Sequence, residues 1–445
     1  MLCSSRSCLT TVPGAPRSGA PRSATRCVPR SATRPRAVHH DNANPSAHGI
    51  GYHHPQDQHR GYSFFSPPLA LLGFGALAGA ADEIKKHAFK KALIVTDKVL
   101  VKVGAVATLT HLLDSVGVAY VIYDQCEPNP TDVQVHKGVE LLLSNQCDFI
   151  VSFGGGSPHD AAKAIGIVAT NGGMIHDYEG VNKLRVPMMP LIAFNTTAGT
   201  ASEMTRFAII TDTKRHIKMA IIDARVTPMM AVNDPSLHMG MPKGLTAATG
   251  MDALTHAIEA YVSVISTPIT DACALYAITL IMEYLVDAVE EGKDPMARDM
   301  MANAEYLAGM AFNSASLGYV HAIAHQLGGQ YNSAHGVTNA ILLPAVCEFV
   351  GETKPDLFVD IAKAMRIDVD VVNGVDRNED AVKKVVAKIR EISKKIGIPS
   401  SIRELGAKEE DFDMLAANAL KDACGFTSPR KATHGDIVAI LRKSF

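Results

Sequence analysis

The chain has 445 residues, enough for two domains with substantial cores. Its formal charge of −2 hides an asymmetry. Seven of the 43 Lys and Arg lie in residues 1–40, so residues 41–445 carry 36 basic against 45 acidic groups. That acidic excess argues against a nucleic-acid surface. Eight cysteines (3, 8, 27, 126, 147, 273, 347 and 424) form no C-x-x-C pair and no metal-type spacing, so reduced thiols are expected, and neither a disulfide scaffold nor a cysteine-liganded zinc site.

Residues 1–40 are rich in Arg, Ser, Pro, Ala and Thr and contain no acidic residue. This is the composition of a disordered transit peptide, with an organellar destination, mitochondrion ahead of chloroplast; a disordered cytosolic tail is the alternative. A histidine-rich linker is expected over 41–61. Residues 69–81 are apolar but too short to span a bilayer, and read as a strand entering a helix, so no membrane association is expected.

From residue 62 strands and helices alternate: strand 91–97, helix 100–115, strand 119–124, helix 131–145, strand 148–154, then a helix containing Asp160. Such alternation predicts a mostly parallel sheet covered by helices. Beyond residue 236 strand patterns fade, and long helices are expected over 245–264, 268–291, 294–317 and 381–396. The fold class is therefore an α/β dinucleotide-binding domain (62–236) followed by an all-α metal-binding domain (237–445), with the site in the cleft between them.

Three segments of the first domain suit a dinucleotide. The strand ending at Asp97 offers a carboxylate to ribose hydroxyls, which favours NAD over NADP; equally, Asp97 could cap the following helix. The run Gly154-Gly155-Gly156-Ser157-Pro158 passes from a buried strand into a helix N-terminus, where free N–H groups suit a pyrophosphate, although a plain loop has the same composition. Residues 194–203 pack four hydroxyls and a glycine behind an apolar strand, a pattern shared by cofactor loops and ordinary turns.

The second domain carries the most specific chemistry. Asp252 and His256 are four residues apart, so a helix presents both on one face. His321 and His325 repeat that interval, and His335 follows. Asp252, His256, His321 and His335 offer one carboxylate and three imidazoles, a good set for a borderline divalent ion that leaves positions open for substrate. The competing reading is a set of surface or internally satisfied pairs. Against it, these histidines lie amid Ala, Leu, Ile and Gly, where an unpaired imidazole is costly. Glu259, three residues past His256, either orients a ligand or, as its position favours, lies on the helix surface.

Together the segments Val95-Thr96-Asp97, Pro128-Asn129-Pro130-Thr131, Gly154 to Lys163, Thr196 to Glu203, Gly250 to Glu259 and His321 to Gly336 resemble the iron-containing (group III) alcohol dehydrogenases. The wider superfamily includes glycerol dehydrogenase and dehydroquinate synthase, and the resemblance covers roughly residues 62–445. It implies the dehydroquinate synthase-like fold and a metal held by Asp252, His256, His321 and His335. It places Gly155, Gly156 and Ser157 on the pyrophosphate, with Asp160 in the same cofactor segment. Thr196, Thr197 and Thr200 follow along the cofactor, and Asn129 and Lys218 lie near its adenosine half. His325 is placed beside nicotinamide and substrate, either passing a proton to solvent or holding the ring by shape.

The implied enzyme is a homo-oligomeric, NAD(P)-linked alcohol dehydrogenase or aldehyde reductase for small primary alcohols, transferring hydride from a metal-bound alkoxide. Fe(II) is the implied ion with Zn(II) as alternative, and NAD the dinucleotide with NADP as alternative. The rival readings are a zinc-dependent, glycerol-type polyol dehydrogenase, a catalytically idle assembly scaffold, and a metal buffer built on the histidine-rich linker. By the same resemblance Phe207 lines the substrate pocket.

Overall fold

The computed structural model describes residues 61–445, apart from 216, 370, 373, 374 and 377. The expected transit peptide, and the linker up to residue 60, lie outside the described residues. In chain order the first half forms β1 (Leu69–Leu72), α1 (Ala76–Lys86), β2 (Lys91–Val95), α2 (Lys98–Lys102), α3 (Val106–Ser115), β3 (Ala119–Tyr123), α4 (Asp132–Ser144), β4 (Phe149–Gly154) and α5 (Gly156–Asn171). It continues with β5 (Gly180–Val181), β6 (Leu191–Asn195), β7 (Phe207–Asp212), β8 (Ile217–Ile222) and β9 (Met230–Asn233).

Six of these strands pair in the order β1-β9-β6-β4-β2-β3, every pair parallel. Every residue of β4 and β6 is buried, which explains their continuous apolar sequence: both faces of a parallel sheet are covered. Alternate side chains serve two cores. Leu93, Val95 and Ile150 pack on one side, and Ile94, Phe149, Val151 and Phe153 on the other.

Two expectations about this half need correction. The helix expected over 100–115 is broken into α2 and α3 around Gly104, which adopts φ +79°, a conformation that glycine enters without steric cost. The sheet is also not the whole story. β7 and β8 form an antiparallel ribbon, registered from Phe207↔Ile222 to Asp212↔Ile217, and β5 joins its edge.

After β9 the chain is built mainly of helices: α6 (Lys243–Val262), α7 (Pro268–Glu290), α8 (Pro295–Ala315), α9 (Tyr319–Tyr331), α10 (His335–Gly351), α11 (Leu357–Ala364), α12 (Asn378–Lys395), α13 (Phe412–Ala419) and α14 (His434–Lys443). Among the described residues only α7 is long and apolar enough to cross a membrane; half of its apolar window is buried, and it packs against α6, α8 and α11. α6 is buried from Met251 through Val262 on all sides, so its Asp252, His256 and Glu259 are interior groups that need partners.

Candidate metal centre and cofactor groove

The strand order places three loops side by side. β2, β4 and β6 are neighbours, with Val95 opposite Ser152 and Gly154 opposite Asn195, so Asp97, the glycine turn and the threonine loop all leave the carboxyl ends of adjacent strands. This is where open parallel sheets bind ligands. A Cβ added to Gly155 would lie 2.8 Å from Thr197 Oγ1, and one added to Gly156 would lie 3.1 Å from Thr200 Cγ2. The two loops thus lie in close contact beside the N-terminus of α5, which has Ser157 in its first turn; this is the candidate cofactor groove.

The predicted cofactor residues divide into groups. Asp97 caps α2 through Oδ1, accepting from Val99 N at 2.8 Å and Leu100 N at 2.9 Å, so the capping alternative is realised and Oδ2 is the atom left for a ribose. Thr196 anchors its loop by donating its backbone N–H to Gly154 O at 2.9 Å. Asn129, with φ +59°, receives Lys218 Nζ at 2.8 Å and donates to Asn332 Oδ1 at 2.7 Å, linking the ribbon to the end of α9. Burial pushes the Lys218 ammonium down, with Asp160 and Asp252 opposing.

Asp160 is engaged within the protein. One carboxylate oxygen accepts Ser202 Oγ–H at 2.6 Å and the other Ile209 N–H at 3.1 Å, so both are used inside the protein. Beside it Lys163 donates to Ser202 Oγ, Thr205 Oγ1 and Phe207 O, and burial pulls this lysine down to about 8. These residues of the glycine motif tie α5 to the loop beyond the threonines.

One ligand atom each from Asp252, His256, His321 and His335 falls within 4.8 Å of the others. The imidazoles are oriented from behind. His256 Nδ1 donates to Gly199 O at 3.2 Å and His321 Nδ1 to Glu259 Oε2 at 2.6 Å, which leaves each Nε2 lone pair facing Asp252, at 3.9 Å from Oδ1 in both cases. His335 Nε2 approaches the same oxygen at 3.7 Å. Burial, reinforced by neighbouring histidines, pushes His321 and His335 well below the usual imidazole range. Several lone pairs and a carboxylate thus converge on one point, an arrangement that suits a cation and little else.

Two close approaches make this geometry achievable. A Cβ on Gly199 would lie 2.6 Å from Thr249 O, and one on Gly336 2.3 Å from Ala248 O. Only glycine lets the threonine loop reach His256 and lets α10 bring His335 against α6.

The expectation that Glu259 lies on the helix surface is overturned. Glu259 is 3% exposed, accepts Val320 N–H at 2.7 Å as well as His321, and burial pushes its carboxyl up to about 7. Asp422, not singled out in the sequence, receives His325 Nδ1–H at 2.9 Å and Cys424 N–H at 2.9 Å. Burial alone would raise the Asp422 carboxyl, but these contacts outweigh it and hold it below the usual range. His325 in turn stacks on His335, ring centroids 5.6 Å apart.

Comparison with known proteins agrees with this construction. Residues 67–235 match the family described as iron-containing alcohol dehydrogenase, and residues 246–445 its C-terminal counterpart. Alcohol dehydrogenase 4 of Schizosaccharomyces pombe is 50% identical over 382 residues, covering 86% of this chain and 89% of that protein. NAD-dependent methanol dehydrogenase of Bacillus methanolicus is 46% identical, covering 86% and 99%. A crystal structure of 1,3-propanediol oxidoreductase superimposes with TM-score 0.83 at 47% identity, covering 87% of this chain and all of that one. With matches spanning both domains and the donor cluster in place, the chain belongs to the iron-containing alcohol dehydrogenase family.

Proposed function

We propose that this protein is an Fe(II)-dependent, NAD-linked dehydrogenase that interconverts small primary alcohols and aldehydes. The carrying observation is the gathering of Asp252, His256, His321 and His335 within 4.8 Å, behind which Gly199 joins the metal helix to the threonine loop of the cofactor groove. Bound there, a divalent ion supplies a Lewis acid for the substrate oxygen and NAD supplies the hydride acceptor.

The chain's own residues do the rest. Asp252 and three neutral imidazoles hold the ion with a net charge near +1. Gly155 and Gly156, packed against Thr197 and Thr200, offer backbone N–H groups at the start of α5 to a pyrophosphate. His325, its Nδ1–H held by Asp422, keeps Nε2 to accept the hydroxyl proton of the alcohol and pass it outward.

The test uses full-length protein purified anaerobically and loaded separately with Fe(II) or Zn(II), following reduced nicotinamide with ethanol and then acetaldehyde. Activity that disappears together with bound metal in His321→Ala supports the reading. Stoichiometric metal without turnover, with either ion and either dinucleotide, overturns it.

Two further proposals concern the setting. A homo-oligomer is supported by the exposed Leu72, which ends β1, and Phe74 just beyond it, β1 being an edge strand of the sheet; light scattering on the purified protein tests it. Residues 1–40 are proposed as an organellar presequence, mitochondrial ahead of plastid, and fusion to a fluorescent protein tests it.

A further inference from the structure

α9 runs from the metal ligand His321 past His325 to Tyr331, and its last turn meets the ribbon of the other domain. Gly328, in that turn, lies against Lys218: a Cβ added there would be 3.6 Å from the lysine Cε and Nζ. Asn332 then caps the helix in the left-handed region, with φ +51°. Glycine serves such a cap without steric cost, whereas asparagine brings a side chain that can make a contact.

That contact crosses the domain boundary. Asn332 Oδ1 accepts Asn129 Nδ2–H at 2.7 Å, and Asn129 Oδ1 accepts Lys218 Nζ–H at 2.8 Å. Held at both ends, the Asn129 amide can point only one way. Thr211 secures the backbone beneath it, donating its N–H to Pro130 O at 2.8 Å and its hydroxyl to Asn129 O at 3.4 Å. Among the described residues Lys218 donates only to Asn129, so two of its N–H bonds are left for a ligand, and the Asn129 amide keeps one N–H and one lone pair. A dinucleotide thus meets three oriented donors and an acceptor.

We infer that Asn332 is a positioning residue for the dinucleotide: from the end of the metal-bearing helix it aims the Asn129 amide, and it slows cofactor release while this tie holds. The inference rests on the NAD reading of the groove and adds to it a residue of the helical domain. Because the tie joins loop 128–131 to α9, the two part at this point only when it breaks. Asn332 is exposed, so water takes its place as the bond opens. The effect is that of one net hydrogen bond, about three- to tenfold in affinity.

Full-length wild type, Asn332→Gly and Asn332→Asp are loaded anaerobically with Fe(II). NADH binding is titrated by its own fluorescence, free of tryptophan emission because the chain contains no Trp, and release is timed by stopped flow with excess NAD as chase. Asn332→Gly keeps the backbone conformation and removes the amide, so the NADH dissociation constant and release rate should each rise about three- to tenfold. The Michaelis constant for NAD should rise with kcat no lower. Asn332→Asp keeps the acceptor oxygen and should stay within about twofold of wild type. Bound iron should be unchanged in both, because Asn332 stands roughly 16 Å along the helix from His321. Wild-type affinity and release in Asn332→Gly would overturn the inference, as would equal losses in both variants or loss of iron in Asn332→Gly. Wild type that binds no NADH would overturn the dinucleotide reading of the groove and this inference with it.

Discussion

Glu305, on α8 of the helical domain, accepts the backbone N–H of Ala201 at 2.6 Å and so holds the threonine loop of the other domain in place. Ala201 adopts φ +52°, a conformation that costs a residue with a Cβ about 1 kcal/mol or more, and the buried carboxyl compensates locally. Asn195 and Asn233 also donate to this carboxyl, at 3.4 and 3.1 Å. The loop that lines the cofactor groove is thus fixed from across the domain boundary. Glu305→Ala should raise the Michaelis constant for NAD about tenfold while leaving bound metal unchanged, since no metal ligand touches Glu305. Metal content and NAD titration on the same preparation check this; loss of both together would mean general unfolding.

Glu305 shares its burial with Glu203, and this carboxyl pair makes stability depend on pH. Burial pushes Glu203 up to about 7 and raises Glu305 well above its ordinary value; the Glu203 carboxylate adds to the rise at Glu305, while hydrogen bonding with Glu305 partly offsets the rise at Glu203. Between the unfolded value of 4.5 and about 7 the folded protein therefore holds more protons than the unfolded chain. Stability from Glu203 is present at acid pH and declines as pH rises through this window. Glu203→Gln removes the titration, so its melting temperature should gain on wild type by ~3 °C or more between pH 5 and pH 8. A constant difference across that range would refute the assignment.

Glu259 acts on the metal through His321. Its carboxylate receives Nδ1–H, sets the tautomer and makes Nε2 a better donor. Glu259→Gln should lower metal affinity about 10–100-fold with little change in secondary structure. Competition with a chromogenic chelator gives the number directly.

Asp422 does for His325 what Glu259 does for His321, without a ligand at the far end. Asp422→Asn should lower kcat about 10–100-fold, within the usual range for general acid–base catalysis, and flatten the dependence of turnover on pH. Bound metal should stay stoichiometric. An unaltered pH profile would make His325 a packing group that holds the nicotinamide by shape.

The donor cluster was legible because helical spacing alone sets Asp252 beside His256 and marks out His321, and because the glycine turn and threonine loop are local signatures. What local patterning could not show are contacts closed by the tertiary fold. Asp422 meets His325 across 97 residues, Asn332 meets Asn129 across 203, and Glu305 meets Ala201 across 104. The internal contacts of Asp160 are hidden in the sequence for the same reason. Its position in the glycine motif points to the cofactor, while Ser202 and Ile209, more than 40 residues away, take up its carboxylate. The antiparallel ribbon is less legible because the apolar run of β7, Phe207 to Ile210, is only four residues long, too short to distinguish a strand from a buried helical turn by pattern.

Substrate preference is the remaining question that the site geometry addresses. Phe207, at the start of β7, packs against Phe312 with ring centroids 6.1 Å apart, and Phe312 stacks on His256 at 4.4 Å. Lys163 fixes the Phe207 backbone by donating to its carbonyl at 2.7 Å, and the Arg206 guanidinium lies 5.5 Å from its ring. As a wall of the substrate pocket, the place that the family resemblance implies for it, this ring would favour an alkyl chain and give a second hydroxyl no hydrogen bond. That omission is costly for a diol, because a desolvated hydroxyl without a hydrogen bond loses about 1–3 kcal/mol. Phe207→Asn supplies donors and acceptors there, so kcat/KM for propane-1,2-diol relative to butanol should rise about tenfold, with ethanol least affected because its chain does not reach the wall. Ratios unchanged from wild type would place Phe207 outside the pocket and return the polyol dehydrogenase reading to contention.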